Sequence, residues 1–261
     1  RRIVYDMRFV MSAPQDRTAI VIGAGVVGMA CALALQARGH AVTLVDPGTI
    51  RAASLGNAGH IAVEQVEPLP SWATLRGLPS QVFGRGGPVS LPLREIGTWL
   101  PFALRFVAAA RPSRFRAGKA ALTALAAAAL PAWRSQLGRL GRPDLIREQG
   151  HFLVWENEVS AAAGRARWAA ADTGTVSTRE ATVEELASIS AHLRAPLAGG
   201  LRFTGSAQIA DLDALADALA GGFASNGGTR VRTAATALVP VGRGVEVRLD
   251  DGAILSAEAV V

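Results

Sequence analysis

The sequence predicts an α/β fold whose first strands lie parallel, and three features predict it. A β-branched apolar run, Thr18-Ala-Ile-Val-Ile22, passes straight into a glycine-rich turn, Gly23-Ala24-Gly25-Val26-Val27-Gly28. An apolar stretch of helical length follows and stops at Arg38-Gly39, a basic residue and a glycine, where helices commonly end. A second β-branched run, Ala41-Val-Thr-Leu-Val45, then closes on a lone acid, Asp46. Strand, turn, helix, strand and acid in that order read as a βαβ unit, whose helical crossover sets its two strands parallel.

Each residue type in this unit suits a dinucleotide. Gly23 allows the tight turn, Gly25 lets a pyrophosphate approach the backbone, and Gly28 lets helix and strand pack closely. Free N–H groups and the positive end of the helix near Val26 then face the phosphates, with Ala24 and Val27 completing the turn. Asp46 stands where a carboxylate can accept hydrogen bonds from both hydroxyls of an adenosine ribose, and an acid there disfavours a 2′-phosphate. The expected ligand is FAD or NAD, held by a Rossmann-like domain. A membrane span is the competing reading, because no charge occurs from Thr18 to Ala37 and about 20 such residues suffice to cross a bilayer. Three glycines placed directly after a β-branched run favour the strand that turns into a helix.

Composition narrows the class. With 261 residues, half of them apolar and 18% charged, the chain can bury a large core and is not disordered. The net charge of +6 comes from scattered arginines, since Lys119 is the only lysine, and no nucleic-acid motif accompanies them, so nucleic acid is not an expected partner. The single cysteine, Cys31, forbids an intrachain disulfide and suits a reducing compartment. Residues 1–17 hold no long apolar core and are read as an N-terminal extension without a secretory signal. Met7 and Met11 inside that stretch, with no initiator methionine, point to sequence upstream of it.

Further along, a loop of small residues runs from Pro47 to Gly59, and prolines and glycines are dense from Pro68 to Pro101, with a turn at Phe83-Gly-Arg-Gly-Gly-Pro88. Trp99, Phe102, Ala103, Phe106 and Ala110 share a helical face with Arg105, Arg111, Arg114 and Arg116 nearby. That stretch is read as a helix packed over the rest of its domain, because Pro101 interrupts the pattern; contact with a membrane surface is the alternative. An alanine-rich helix is expected over Ala117–Leu140, broken at Pro131. Strands are expected at His151–Trp155, Gly200–Phe203, Thr229–Thr233, Thr236–Val241 and Val245–Leu249. A helix capped by Asp211 runs to Phe223, and an Asp250-Asp251-Gly252 hairpin leads into an apolar strand from Ile254 to Val261. Because the chain stops within that run, C-terminal truncation is expected. His40, His60, His151 and His192 are too dispersed in sequence to suggest ligation, so no metal is expected, and no Ser-His-Asp set is visible.

The glycine turn, Asp46 and the segment Ala53-Ser54-Leu-Gly56-Asn57-Ala58-Gly59-His60-Ile61 together resemble the FAD-dependent D-amino-acid oxidase superfamily, most closely the bacterial D-amino-acid dehydrogenases with their Ser-x-x-Asn-Ala-Gly loop. Ala62-Val-Glu-Gln-Val-Glu-Pro-Leu69 is similar to members acting on hydroxy-D-proline. The resemblance implies a Rossmann-like FAD-binding domain (18–67) interrupted by a partial, inserted α+β substrate domain (68–200), with a return to the FAD domain over 201–261.

The resemblance also implies roles. The loop bearing Ser54, Asn57, Ala58 and Gly59 runs under the flavin side of the cofactor, and the strand through Thr236 offers its backbone to adenine. An asparagine at position 57 implies non-covalent FAD, since some relatives carry there a histidine bonded to the flavin; His60 is read as structural. The implied reaction is oxidation of a small D-amino or cyclic imino acid by hydride transfer from its α-carbon to flavin N5, with oxygen or a quinone chain as electron acceptor. The implied place is the cytoplasm, with association at the inner membrane face left open. No catalytic residue is assigned, because the arginine for the substrate carboxylate lies beyond this sequence in the family pattern. A glycine- or sarcosine-type amine oxidase, an inactive FAD-binding fragment and an NAD-dependent dehydrogenase remain the rivals.

Overall fold

In a computed structural model describing residues 17–48, 53–81 and 89–261, the first β-branched run forms strand β1 (Thr18–Ile22), followed by helix α1 (Val26–Gln36), strand β2 (Ala41–Val45) and the short strand β3 (His60–Ile61). Helices α2 (Trp72–Gln81), α3 (Ile96–Ala109) and α4 (Pro112–Arg139) come next, then strands β4 (Ile146–Arg147) and β5 (His151–Trp155), helix α5 (Glu158–Ala170), strand β6 (Ser177–Glu180) and helix α6 (Val183–Ser190). Strands β7 (Gly199–Thr204) and β8 (Ala207–Ile209) lead to helix α7 (Leu212–Ser225) and strands β9 (Thr229–Val231), β10 (Ala235–Val241), β11 (Gly244–Leu249), β12 (Ile254–Ala257) and β13 (Ala259–Val260). Two compact units result: Arg1–Gly59 with Arg139–Leu145 and Ile209–Val261, and His60–Gly138 with Ile146–Gln208. The boundaries read from the sequence at 67/68 and 200/201 fall inside the second unit.

The first unit is built on a parallel sheet of order β13-β1-β2-β9. Strand β1 buries Ala19, Ile20 and Val21 in a row, as expected of a parallel strand covered on both faces. Because side chains alternate along a strand, Val21 turns toward Gly28 of α1. Ile20 turns the other way and joins Val45, Val247, Leu249 and Ala257 in a core under the antiparallel meander β10-β11-β12. Helix α7 packs beside α1. It buries Leu215, Leu219 and Phe223 at helical spacing, and the Asp211 carboxylate accepts from the Ala214 N–H at 2.9 Å as its cap.

The second unit holds two three-stranded sheets, β3-β8-β4 and β5-β7-β6, with β7 antiparallel to both of its neighbours. Helix α6 opens with a capping box, Thr182 and Glu185 exchanging side-chain and backbone hydrogen bonds. Among the described residues no helix is long and apolar enough to cross a membrane; the uncharged stretch from Thr18 to Ala37 is β1, the turn and α1.

Several expectations are corrected. Pro131 does not break its helix: α4 runs unbroken for 28 residues, since the one lost hydrogen bond falls among good helix-forming alanines and the helix is anchored by buried Leu130 and Leu137. Pro101 likewise sits inside α3 without ending it. The apolar run from Ile254 divides at Glu258, with β12 pairing antiparallel to β11 and β13 lying parallel beside β1. Helices α2, α5 and α6 and strand β6 add to the elements expected from the sequence. The turn at Phe83–Pro88 and most of the N-terminal extension lie outside the described residues.

Candidate functional site

The strand order reverses at β1, because the chain leaves it for β2 on one side while β13, the last strand, pairs on the other. In an open parallel sheet, ligands bind in the crevice beyond the carboxyl ends of the strands at such a point. The turn from Gly23 to Gly28 occupies that place. Gly23 has φ +102, a left-handed conformation that L side chains rarely adopt, and its N–H donates to the Val45 carbonyl at 2.8 Å. A Cβ on Gly28 would overlap the Gly23 carbonyl oxygen, so the first turn of α1 is pressed against the end of β1 at backbone distance. Gly25, extended at φ -69 and ψ 175, has only Ser54 Oγ near its missing Cβ among the described residues, at 3.8 Å. The space in front of it is open.

The first intrahelical bond of α1 is Met29 N–H to the Gly25 carbonyl at 2.9 Å, leaving the N–H groups of Val26, Val27 and Gly28 without a helical acceptor. The Val26 N–H is capped from outside the helix by Ser54 Oγ at 3.4 Å. Ser54 lies on a single 3-10 turn, Ala53–Gly56. Asn57 and Ala58 follow it, exposed, and Gly59, at φ +71, ends the loop. A Cβ on Gly59 would fall 2.7 Å from the Ile209 carbonyl oxygen, whose own N–H donates to the Gly59 carbonyl at 2.8 Å. The loop is thus fastened to the first unit by a glycine that no other residue can replace without strain.

Asp46 faces the same crevice. Its Oδ2 accepts from the Ala24 N–H and its Oδ1 from the Gly48 N–H, both at 2.8 Å, and Arg230 Nη2 of β9 stands 3.8 Å from Oδ1. A carboxylate offers about four lone-pair positions, so both oxygens keep capacity for a ligand hydroxyl. The arginine on β9 is a neighbour that sequence distance conceals. Thr236 lies elsewhere in the unit, on β10, where the pairing with β11 slips between Ala235 and Ala237. It therefore has no opposite residue in β11, and its Oγ1 donates to the Arg248 carbonyl at 3.1 Å. A depression of about 650 Å³ lined by Thr18, Arg243 and Glu258 opens at the amino end of β1, away from the glycine turn.

In the second unit the structure gathers residues that the sequence leaves scattered. His60 and His151, far apart in sequence, stand edge to face with ring centroids 4.6 Å apart. Glu64, its side chain 3% exposed, sits 3.0 Å from His60 Nε2, and His151 Nδ1 is 3.0 Å from the buried Ser206 Oγ. Burial holds the His151 imidazole below the usual histidine range against the pull of Glu64, with His60 and Arg202 adding to the depression. Spacing of four could have paired His60 with Glu64; nothing local announced His151, which arrives through β5.

The chain belongs to the family described as FAD dependent oxidoreductase, DAO, whose model matches residues 18–261. Its cofactor is therefore FAD, and NAD is set aside. The D-amino acid dehydrogenase 2 of Ralstonia nicotianae is 32% identical over 152 residues, covering 56% of this chain and 35% of that protein. The D-amino acid dehydrogenase 2 of Pseudomonas aeruginosa is 33% identical over an alignment of 261 residues, covering 92% of this chain and 58% of that protein. The chain thus spans 35% to 58% of the length of these curated relatives. Glycine oxidase from Geobacillus kaustophilus shares the fold, with a TM-score of 0.58 at 22% identity over 94% of this chain and 54% of that one.

The contact between Gly28 and the Gly23 carbonyl gives a direct test. Gly28→Ala should lower the unfolding free energy by about 1–3 kcal/mol, the cost of overpacking, measured as an earlier urea midpoint. An unchanged midpoint would mean that helix and strand are not held at backbone distance.

Proposed function

We propose that this chain binds FAD at the glycine turn and belongs to a dehydrogenase that oxidises small D-amino acids or cyclic imino acids such as hydroxy-D-proline. The observation that carries the reading is the open approach at Gly25, set between the free N–H groups of α1 and the Asp46 carboxylate. The N–H groups of Val26, Val27 and Gly28 and the positive helix end hold the pyrophosphate, with Ala24 passing beside it. Asp46 accepts the ribose hydroxyls. The small residues Ser54, Asn57, Ala58 and Gly59 let the backbone run beneath the flavin, and the unpaired backbone at Thr236 meets adenine. Asparagine at position 57 cannot bond covalently to a flavin, so FAD is held without a covalent link. When bound, FAD supplies the hydride acceptor for the α-carbon of the substrate. The chain's own part is to fix the cofactor and leave one face of it accessible.

The residues fit the cofactor on chemical grounds as well. The start of α1 presents backbone donors, matching a diphosphate, and the Asp46 carboxylate is already anchored by two N–H bonds that fix its direction. The acceptor reading also has a support: Ile96, Leu100, Leu104 and Val107 leave an apolar face of α3 exposed, with Arg94, Arg111, Arg114 and Arg116 exposed on either side of it in sequence. Such a face suits peripheral contact with a membrane surface and electron delivery to a quinone.

The reading is tested by the absorbance spectrum of the purified protein, recorded before and after anaerobic addition of cis-4-hydroxy-D-proline or a mixture of D-amino acids. Flavin bands that bleach are expected. Bands that persist would reject the substrate class, and hydrogen peroxide released under air with glycine or sarcosine would favour the oxidase alternative; bands with no turnover of any of these would favour a fragment without activity. Asp46→Ala should weaken FAD by about 1.5–3 kcal/mol, the scale for hydrogen bonds to a charged group, read by flavin fluorescence in a titration. Unchanged affinity would remove Asp46 from the ribose.

A further inference from the structure

Glu64 poses a problem that the flavin reading leaves untouched. A carboxylate whose side chain is 3% exposed is costly to bury unless every oxygen finds a partner. Oε1 has His60 Nε2 at 3.0 Å, while Oε2 is buried with no hydrogen-bond partner among the described residues. His151 stands on the other side, stacked on Phe203 with ring centroids 4.4 Å apart. Its Nδ1 is committed to the hydroxyl of Ser206, which is fully buried, so Nε2 is the nitrogen left free. One donor atom each from His60, Glu64 and His151 lies within 4.8 Å of the other two.

We propose that His60, Glu64 and His151 form a binding site for one zinc-type divalent cation. Two imidazoles and a carboxylate are the donor set of many three-ligand zinc sites, which keep a fourth position for water. In a tetrahedral site with bonds of about 2.0–2.1 Å the donors stand roughly 3.3 Å apart; the 3.0 Å between His60 Nε2 and Glu64 Oε1 is close to that, and His151, with a donor atom within 4.8 Å of the other two, closes the set by an inward shift. The cation gives the orphaned Oε2 the positive partner it lacks. Ligation through His151 Nε2 requires the Nδ1–H tautomer, and the Ser206 hydroxyl, 3.0 Å from Nδ1, is placed to accept that hydrogen, as supporting groups do for metal-bound histidines. The His60 side chain is 30% exposed, which leaves a path for the ion and room for its water. The cation clamps the turn His60–Glu64, which directly follows the Asn57–Gly59 loop in sequence, to strand β5. This inference is independent of the flavin assignment and survives its failure.

The test uses the full chain, stripped of metal with a chelator, dialysed and titrated with Co2+. One Co2+ per chain is expected, with the intense visible bands of a tetrahedral site, displaced by Zn2+. Zn2+ should also raise the unfolding temperature of the wild-type chain, because an ion that binds only the folded state stabilises it. Glu64→Gln keeps the shape of the side chain and His60→Ala alters a partly exposed one, so both are expected to fold, checked by circular dichroism. Each should weaken Co2+ by at least about tenfold, the smallest effect recorded even for losing a residue that only supports a ligand, and neither should gain stability from Zn2+. Failure of the wild-type chain to bind Co2+ would overturn the proposal. So would binding of equal strength in both variants, which would place the ion at His40 or His192.

Discussion

The first unit depends on one close contact, the carbonyl of Gly23 against the α-carbon of Gly28. Because no Cβ fits between them, α1 starts hard against the end of β1, and its unpaired N–H groups open directly over the crevice of the sheet. Other features follow from that placement. Asp46, carried to the same edge by β2, ties down the turn through the Ala24 N–H. Ser54, returning from the following loop, caps the helix at Val26. Gly59 then pins the loop against Ile209. A side chain at Gly28 would displace the helix start and with it the geometry that suits a diphosphate, and one at Gly23 would strain the turn at φ +102. The contact is a packing constraint first, and the binding chemistry is its consequence.

That chain of dependence explains why this part was legible in the sequence. A glycine required by φ, a glycine required by contact and an acid at a strand end each leave a local mark within the stretch from Thr18 to Asp46. β-Branched runs of five residues identify β1 and β2 because both faces of those strands are covered. Asp211 announced α7 as a cap for the same local reason. Legibility fell wherever the deciding partner was remote. Arg230 reaches Asp46 only because β9 pairs with β2, and the bulge at Thr236 exists only in the register with β11. Proline misled in the opposite direction: at positions 101 and 131 its local penalty is real, but the surrounding helix outweighs one lost hydrogen bond.

The second unit shows the limit most sharply. Helices α4 and α5 are rich in alanine and carry a weak apolar stripe, so periodicity speaks faintly there, and the meeting of His60, Glu64 and His151 is created by tertiary structure alone. A buried carboxylate is invisible in sequence, since Glu64 sits in a segment, Ala62-Val-Glu-Gln-Val-Glu, that reads as an ordinary polar turn. Family membership, FAD dependence and the α/β fold rest on the whole match across residues 18–261.

The most direct test of the account is to compare the binding of FAD and FMN by flavin fluorescence titration, in the wild-type chain and in Gly25→Val. If the turn, the α1 terminus and Asp46 hold the adenosine diphosphate half, FAD should bind the wild-type chain far more tightly than FMN, which lacks that half. Gly25→Val should then abolish the preference by filling the pyrophosphate space while the circular dichroism stays that of a folded chain. Equal affinity for FAD and FMN, or FAD binding untouched by the valine, would contradict it.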